Sequence, residues 1–175
     1  MRKFSVALGL VAAVIFAAPA SADMVMVKAY TNLSFADMQN ILQGMGYRAE
    51  MGSDDVGPYI KSAADGYIFY VNLYDCDKAP EPRCESAELV TATFTMHPTA
   101  QQLLTWNRGS WWAHGIFDKK GDPYLRMDFS TKGGITEDAI KNYLDLYEWR
   151  LGEFVKFLQN PASAAPAESN SPSAK

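Results

Sequence analysis

Over residues 136–159 apolar side chains recur at Ile140, Tyr143, Leu144, Tyr147, Leu151, Phe154, Val155 and Leu158. Steps of three and four of this kind lie along one face of an α-helix. Thr136 supplies an N-cap, and Glu137 and Asp138 put negative charge into the first turn, where the helix dipole favours it. A helix this long with an unbroken apolar stripe has to bury that stripe against something. The preceding chain offers the partner: residues 47–51, 58–62, 67–74, 86–96, 111–117 and 124–129 are short runs rich in aromatic and β-branched residues. Turn signals separate them, among them Ser53-Asp54-Asp55-Val56-Gly57, Ala64-Asp65-Gly66 and Asp118 to Pro123 with its Gly121-Asp122-Pro123. Two shorter helices complete the pattern. Ser34 with Asp37 is a capping-box start ahead of Met38, Ile41, Leu42 and Met45, closed by Gly44 and Gly46, and Thr99 opens a second helix through Leu103, Leu104 and Trp106. The predicted order is α-β-β-β-β-α-β-β-α, an α+β domain whose antiparallel sheet carries its helices packed on one face.

Arg2 and Lys3 are followed by an apolar run over residues 6–18 and by Ala20-Ser21-Ala22, which predicts a secretory signal peptide over residues 1–22, cleaved after Ala22. The run falls well short of the roughly 20 residues needed to span a bilayer. No later stretch is apolar enough to do so, so no membrane insertion is expected after cleavage. From Asn160 the chain is rich in Ala, Ser and Pro and poor in large apolar side chains, and residues 160–175 read as a disordered tail. That leaves one domain over residues 23–159, a size suited to a single core. Without Arg2 and Lys3 the basic residues fall from 16 to 14 against 20 acidic ones, and no basic patch is visible, so a nucleic-acid partner is not expected.

Cys76 and Cys84 flank a segment with two prolines. In an exported chain this spacing predicts a disulfide, which for so short a loop contributes about 2–3 kcal/mol. A redox centre would more usually show two intervening residues. Asp75, Asp77 and Glu81 resemble the opening of a calcium loop, but Pro80 stands where that loop needs glycine and no glutamate closes it. His97 and His114 lack evident co-ligands, and neither a nucleophile-elbow serine motif nor a zinc-protease motif occurs. No catalytic residue, metal or cofactor is assigned. Asp54-Asp55 and Asp118 with Asp122 sit in turns, where aspartate serves the backbone.

Strand alternation assigns Phe69, Val71, Val90, Ala92, Phe94, Phe117, Leu125, Met127 and Phe129 to the helix side of the sheet. Tyr70, Asn72, Thr91, Thr93, His114, Tyr124, Arg126 and Asp128 then face outward, a surface of aromatic and hydrogen-bonding groups that suits a partner. The plainer alternative is a solvated face of ordinary β-formers. Adjacent residues on a strand point to opposite faces, so of Trp111 and Trp112 one is expected in the core and the other exposed as an anchor for a partner.

The helix end running into Gly46-Tyr47, Gly57-Pro58-Tyr59-Ile60, the strand over residues 67–74, Trp106-Asn107-Arg108, residues 118–128 and the last helix together resemble the YbjN family. That resemblance implies a domain similar in fold to the type III secretion chaperones. It also implies binding of a polypeptide partner through a sheet face or groove, pairing into a homodimer, and a regulatory role in sensory transduction. The signal peptide and the cysteine-stapled loop set this chain apart from cytoplasmic members, and place it in the periplasm or otherwise outside the cytoplasm. The expected function is an exported, chaperone-like, non-enzymatic partner-binding module. The alternatives are an envelope enzyme, for instance on Asp118, Asp122 and His114, or a small-ligand or metal-binding protein whose site no motif reveals.

Overall fold

The computed structural model describes residues 27–92 and 94–161. The signal peptide predicted over residues 1–22, Thr93 and all but the first two residues of the predicted tail lie outside the described residues. Eleven elements follow in order: β1 (Ala29–Tyr30), α1 (Phe35–Gly44), β2 (Glu50–Ser53), β3 (Pro58–Ala64), β4 (Tyr67–Cys76), β5 (Cys84–Thr91), α2 (Ala100–Gly109), β6 (His114–Phe117), β7 (Pro123–Ser130), β8 (Ile135–Thr136) and α3 (Glu137–Gln159). Apart from the two-residue strands β1 and β8, which pair with each other, this is the predicted α+β order.

All three helices begin as their sequences dictate. Ser34 Oγ accepts from the Asp37 N–H and Asp37 Oδ2 from the Ser34 N–H, each at 3.1 Å, so two orphan donors at the start of α1 are satisfied reciprocally. Thr99 and Gln102 form the same box on α2, and the Thr136 hydroxyl caps α3 through the Ala139 N–H. The β1–β8 pair fixes the entry to α3, where the Glu137 N–H donates to the Lys28 carbonyl at 2.8 Å.

The main sheet has six strands in the order β2-β3-β4-β5-β7-β6, every neighbouring pair antiparallel. Its helix-facing side presents Ile60, Phe69, Val71, Ala87, Leu89, Leu125 and Met127, all buried against Met38, Leu42, Leu144, Tyr147, Leu151 and Phe154. Rings interlock across this layer: Phe69 meets Tyr47 edge-on at 6.0 Å and Tyr147 at 5.8 Å, and Phe129 stacks on Tyr143 at 4.7 Å. Gly115 permits the closest approach of helix to sheet. A Cβ there would lie 2.5 Å from Leu103 Cδ1 and 2.7 Å from Phe154 Cε2. Its peptide is also matched by a side chain: Asn107 Nδ2 donates to the Gly115 carbonyl at 2.8 Å and Asn107 Oδ1 accepts from the Gly115 N–H at 2.9 Å. The amide thus takes the place of a further strand at this sheet edge.

The alternation predicted for the fourth strand is out by one residue. Ala87, Leu89 and Thr91 face the helices, whereas Val90 is half-buried on the opposite side and Ala92 is exposed. Phe94 is buried as expected, but β5 ends at Thr91, so parity counted back from Phe94 crosses non-strand residues and is lost. Thr91 is therefore a core residue. Its Oγ1 accepts a hydrogen bond from the buried Tyr147 hydroxyl at 2.8 Å, which satisfies both polar groups inside the core.

Cys76 and Cys84 are disulfide-bonded and directly paired across β4 and β5. Arg83, beside the buried Cys84, donates to the Asn32 carbonyl at 3.1 Å and to Asp37 Oδ2 at 3.3 Å, tying the stapled connection to the start of α1.

Candidate functional site

The side of the sheet away from the helices carries a continuous cross-strand arrangement. Register places Lys61 beside Tyr70, Tyr70 beside Val90, Asn72 beside Glu88, Val90 beside Arg126, Glu88 beside Asp128, and Arg126 beside His114. Of the residues expected on this face, Tyr70, Asn72, His114, Tyr124, Arg126 and Asp128 are brought together there. Thr91 is not, for the reason given above, and Thr93 lies outside the described residues.

At the centre sits Glu88, which strand alternation had not singled out, with a side chain only 7% exposed. A carboxylate can be held this deep only if its oxygens are satisfied. Glu88 Oε2 accepts from Asn72 Nδ2 at 2.8 Å and from the Tyr74 hydroxyl at 2.7 Å, while Oε1 lies 2.9 Å from Arg126 Nε. Arg126 in turn reaches Asp128 through Nε and Nη2, both at 2.9 Å. One guanidinium is thus shared by two carboxylates, and the cluster carries an excess negative charge.

The electrostatics act on the two donors of this network, Tyr74 and Arg126. Burial, and then the hydrogen bond to Glu88, push the Tyr74 phenol up to about 12, so it remains a donor. The bond to Asp128, with the Glu88 charge behind it, raises Arg126 further. Toward β3 the face turns aromatic, with Tyr59 and Tyr70 in an edge-on pair at 5.3 Å. An anionic centre flanked by tyrosines can accept hydrogen bonds, favours a positively charged group opposite it, and can cover apolar stems. The signal for Glu88 was present in the sequence as a lone acid inside the run Ala87-Glu88-Leu89-Val90, and Tyr74 shares its alternation with Tyr70 and Asn72.

Trp111 and Trp112 do not divide between core and surface as predicted. They precede β6, which begins at His114, and both are exposed, at 71% and 55%. Two-fold alternation does not apply outside a strand. Residues 118–122 make a turn in which Asp118 Oδ1 accepts the Lys120 and Asp122 N–H groups at 2.8 Å, bonds that hold its carboxyl below the usual range. Asp122 lies 3.7 Å from His97 Nδ1, and strand register sets His114 opposite Arg126, at the far end of β6 from the turn that carries Asp118 and Asp122, so the structure does not bring the three together. Among the described residues no group of three or more His, Cys, Asp or Glu side chains is placed to hold a metal ion, and no helix is long and apolar enough to cross a membrane.

Residues 34–160, well over half of the chain, match the model of the YbjN family, described as "Putative bacterial sensory transduction regulator". No curated protein and no solved structure matches the chain.

Proposed function

Because this chain belongs to the YbjN family, we propose that it is an exported regulatory module that binds a polypeptide on the open face of its sheet and catalyses no reaction. The observation that carries this reading is the Glu88–Arg126–Asp128 cluster with its Asn72 and Tyr74 donors. A charge buried on the solvent side of a sheet does nothing for the core, and holding it there costs desolvation, so its benefit lies in what meets that face. Tyr59, Tyr70 and Tyr124 supply flat, amphipathic contact area around it, the composition of a recognition surface. The excess negative charge favours a partner segment with Lys or Arg opposite Asp128. Export is supported by the Arg2-Lys3 start with its short apolar run and by the Cys76–Cys84 disulfide, a bond that suits an oxidising compartment. On this reading the module works in a chaperone-like way and pairs into a homodimer.

Affinity capture from an envelope extract under oxidising conditions, with wild type and with Tyr70→Ala/Tyr124→Ala, tests it. The expected result is one or a few stoichiometric polypeptides on the wild type and their loss on the double variant, with both proteins equally folded by circular dichroism. Equal capture by both removes this face from the function.

A further inference from the structure

All four tryptophans of the chain gather at one end of the domain. Trp106 of α2 and Trp149 of α3 both lie against the buried Arg150, whose guanidinium carbon is 4.4 Å and 5.0 Å from their ring centres. Arg150 Nη2 donates to Ser110 Oγ at 2.7 Å, and Ser110 Oγ donates to the Ala113 carbonyl at 2.5 Å, so the turn that follows α2 is tied at its base to α3. Across that turn the Ala113 N–H donates to the Trp111 carbonyl at 2.9 Å, with Trp112 at a φ of +76°. This is the positive-φ form of the γ-turn, rare and strained, and strain of this kind concentrates at functional sites. Trp111 and Trp112 leave it as the two most exposed aromatic side chains among the described residues. On α2, which leads into the turn, Leu104 and Arg108 stand one helical turn apart and are both exposed.

Charge sets this end apart from the rest of the surface. The chain has 20 acidic residues and a formal net charge of −4, yet none of residues 89–117 is acidic, and Arg108 is exposed among them. On α3, Glu153, whose charge Arg150 feels, is paired with Lys156 at 2.8 Å. An anionic surface therefore repels most of the molecule and turns this end toward itself. Tryptophan suits the boundary of a bilayer, where its ring enters the headgroup layer and its N–H stays hydrated. The indoles flank an open recess of about 310 Å³ lined by Ser110, Trp111, Trp112 and His114. Two rings that project from a turn around so open a hollow suit a soft layer they can enter, since an anchor for a protein partner has to meet a pocket of matching shape.

We propose that this end docks the protein peripherally on a bilayer of anionic phospholipid. Trp111 and Trp112 enter the headgroup layer, Leu104 adds apolar area, and Arg108 meets lipid phosphate. No segment crosses the bilayer. The docked end borders the open sheet face at His114, which lies beside Arg126 in the register. Docking nevertheless uses none of the tyrosines of that face, and it does not depend on the polypeptide proposed to bind there.

The test uses protein purified from its host, mixed with vesicles of phosphatidylcholine alone or of equal parts phosphatidylcholine and phosphatidylglycerol. Binding is read by co-sedimentation, and indole depth by quenching of tryptophan emission with acyl-brominated lipid. The expected result is binding to the anionic vesicles, with emission shifted to the blue and quenched, and weaker binding to phosphatidylcholine alone. Trp111→Ala/Trp112→Gly, which changes two exposed residues and relieves the positive φ, should bind the anionic vesicles at least about tenfold more weakly. Arg108→Gln should weaken that binding about fivefold, and added salt should do the same to wild type. The quenching is measured on wild type, so the test does not rest on a variant folding. Absence of binding, equal binding to the two vesicle types, unquenched emission in the bound protein, or undiminished binding by the double tryptophan variant overturns the proposal. Crosslinks from positions 111 and 112 to a polypeptide, without lipid quenching, overturn it in favour of a protein partner.

Discussion

Removing the cation from the sheet-face cluster should cost stability out of proportion to its exposure. In Arg126→Met the alkyl stem that covers the sheet is retained and the guanidinium is lost. At 2.9 Å the Glu88–Arg126 attraction is about 6 kcal/mol for an effective dielectric constant near 20. That figure is an upper bound, because the Arg126 side chain is 42% exposed and water screens it. Breaking a fully buried pair costs about 3–5 kcal/mol, and an exposed pair about 0–1 kcal/mol. With Glu88 buried and Arg126 half open, and with Asn72 and Tyr74 still bonded to the stranded carboxylate, the expected loss is about 2 kcal/mol. Asp128→Asn, at the outer end where the carboxylate is 52% exposed, should cost less than about 0.5 kcal/mol. The double variant Arg126→Met/Glu88→Leu should recover most of the loss, since no charge is then left buried. Urea unfolding followed by circular dichroism reads all three as midpoint shifts at constant slope. If Arg126→Met stays within about 0.5 kcal/mol of wild type, or the double variant is no better than the single, the cluster is not held as described.

Tyr147→Phe leaves the buried Thr91 hydroxyl without its donor and should destabilise by about 1–2 kcal/mol, seen as a lower midpoint in thermal melts. Tyr74 is held protonated in the folded state to about 12, above its ordinary value of 10.0, so its contribution is complete below pH 10 and is lost as the pH rises from there toward 12. Urea titrations over this window should show a steeper alkaline decline in wild type than in Tyr74→Phe. Replacing the disulfide by Cys76→Ser/Cys84→Ala should cost about 2–3 kcal/mol, measured against the oxidised protein, and a reductant should produce a comparable loss in wild type.

The elements whose patterns ran longest were legible in the sequence. The stripe from Ile140 to Leu158 and the capped starts at Ser34, Thr99 and Thr136 depend on local spacing alone, and each lies where the spacing puts it. Pairing of Cys76 with Cys84 was readable for the same reason, since the segment between them is short. Sheet parity was harder, because a strand's face follows from where pairing stops. Tyr70, Asn72, Tyr124, Arg126 and Asp128 lie in strands with clean alternation. Thr91 was misassigned because β5 ends there and Phe94 reaches the core by another path. The Glu88 site was only half readable: its residues come from β4, β5 and β7, and nothing local states that these strands are neighbours. Exposure of both tryptophans goes with a turn at Trp112 that a propensity argument disfavours, placed before β6 begins at His114.

The most direct test of partner binding on the open sheet face is site-specific photocrosslinking in the native host. A benzoylphenylalanine is placed in turn at Tyr70, at Tyr124 and at the exposed helix position Asn142, and adducts are identified by mass spectrometry. The expected result is a common polypeptide adduct from positions 70 and 124 and none from 142. Adducts from 142 alone, or no adduct from either sheet position, would contradict it.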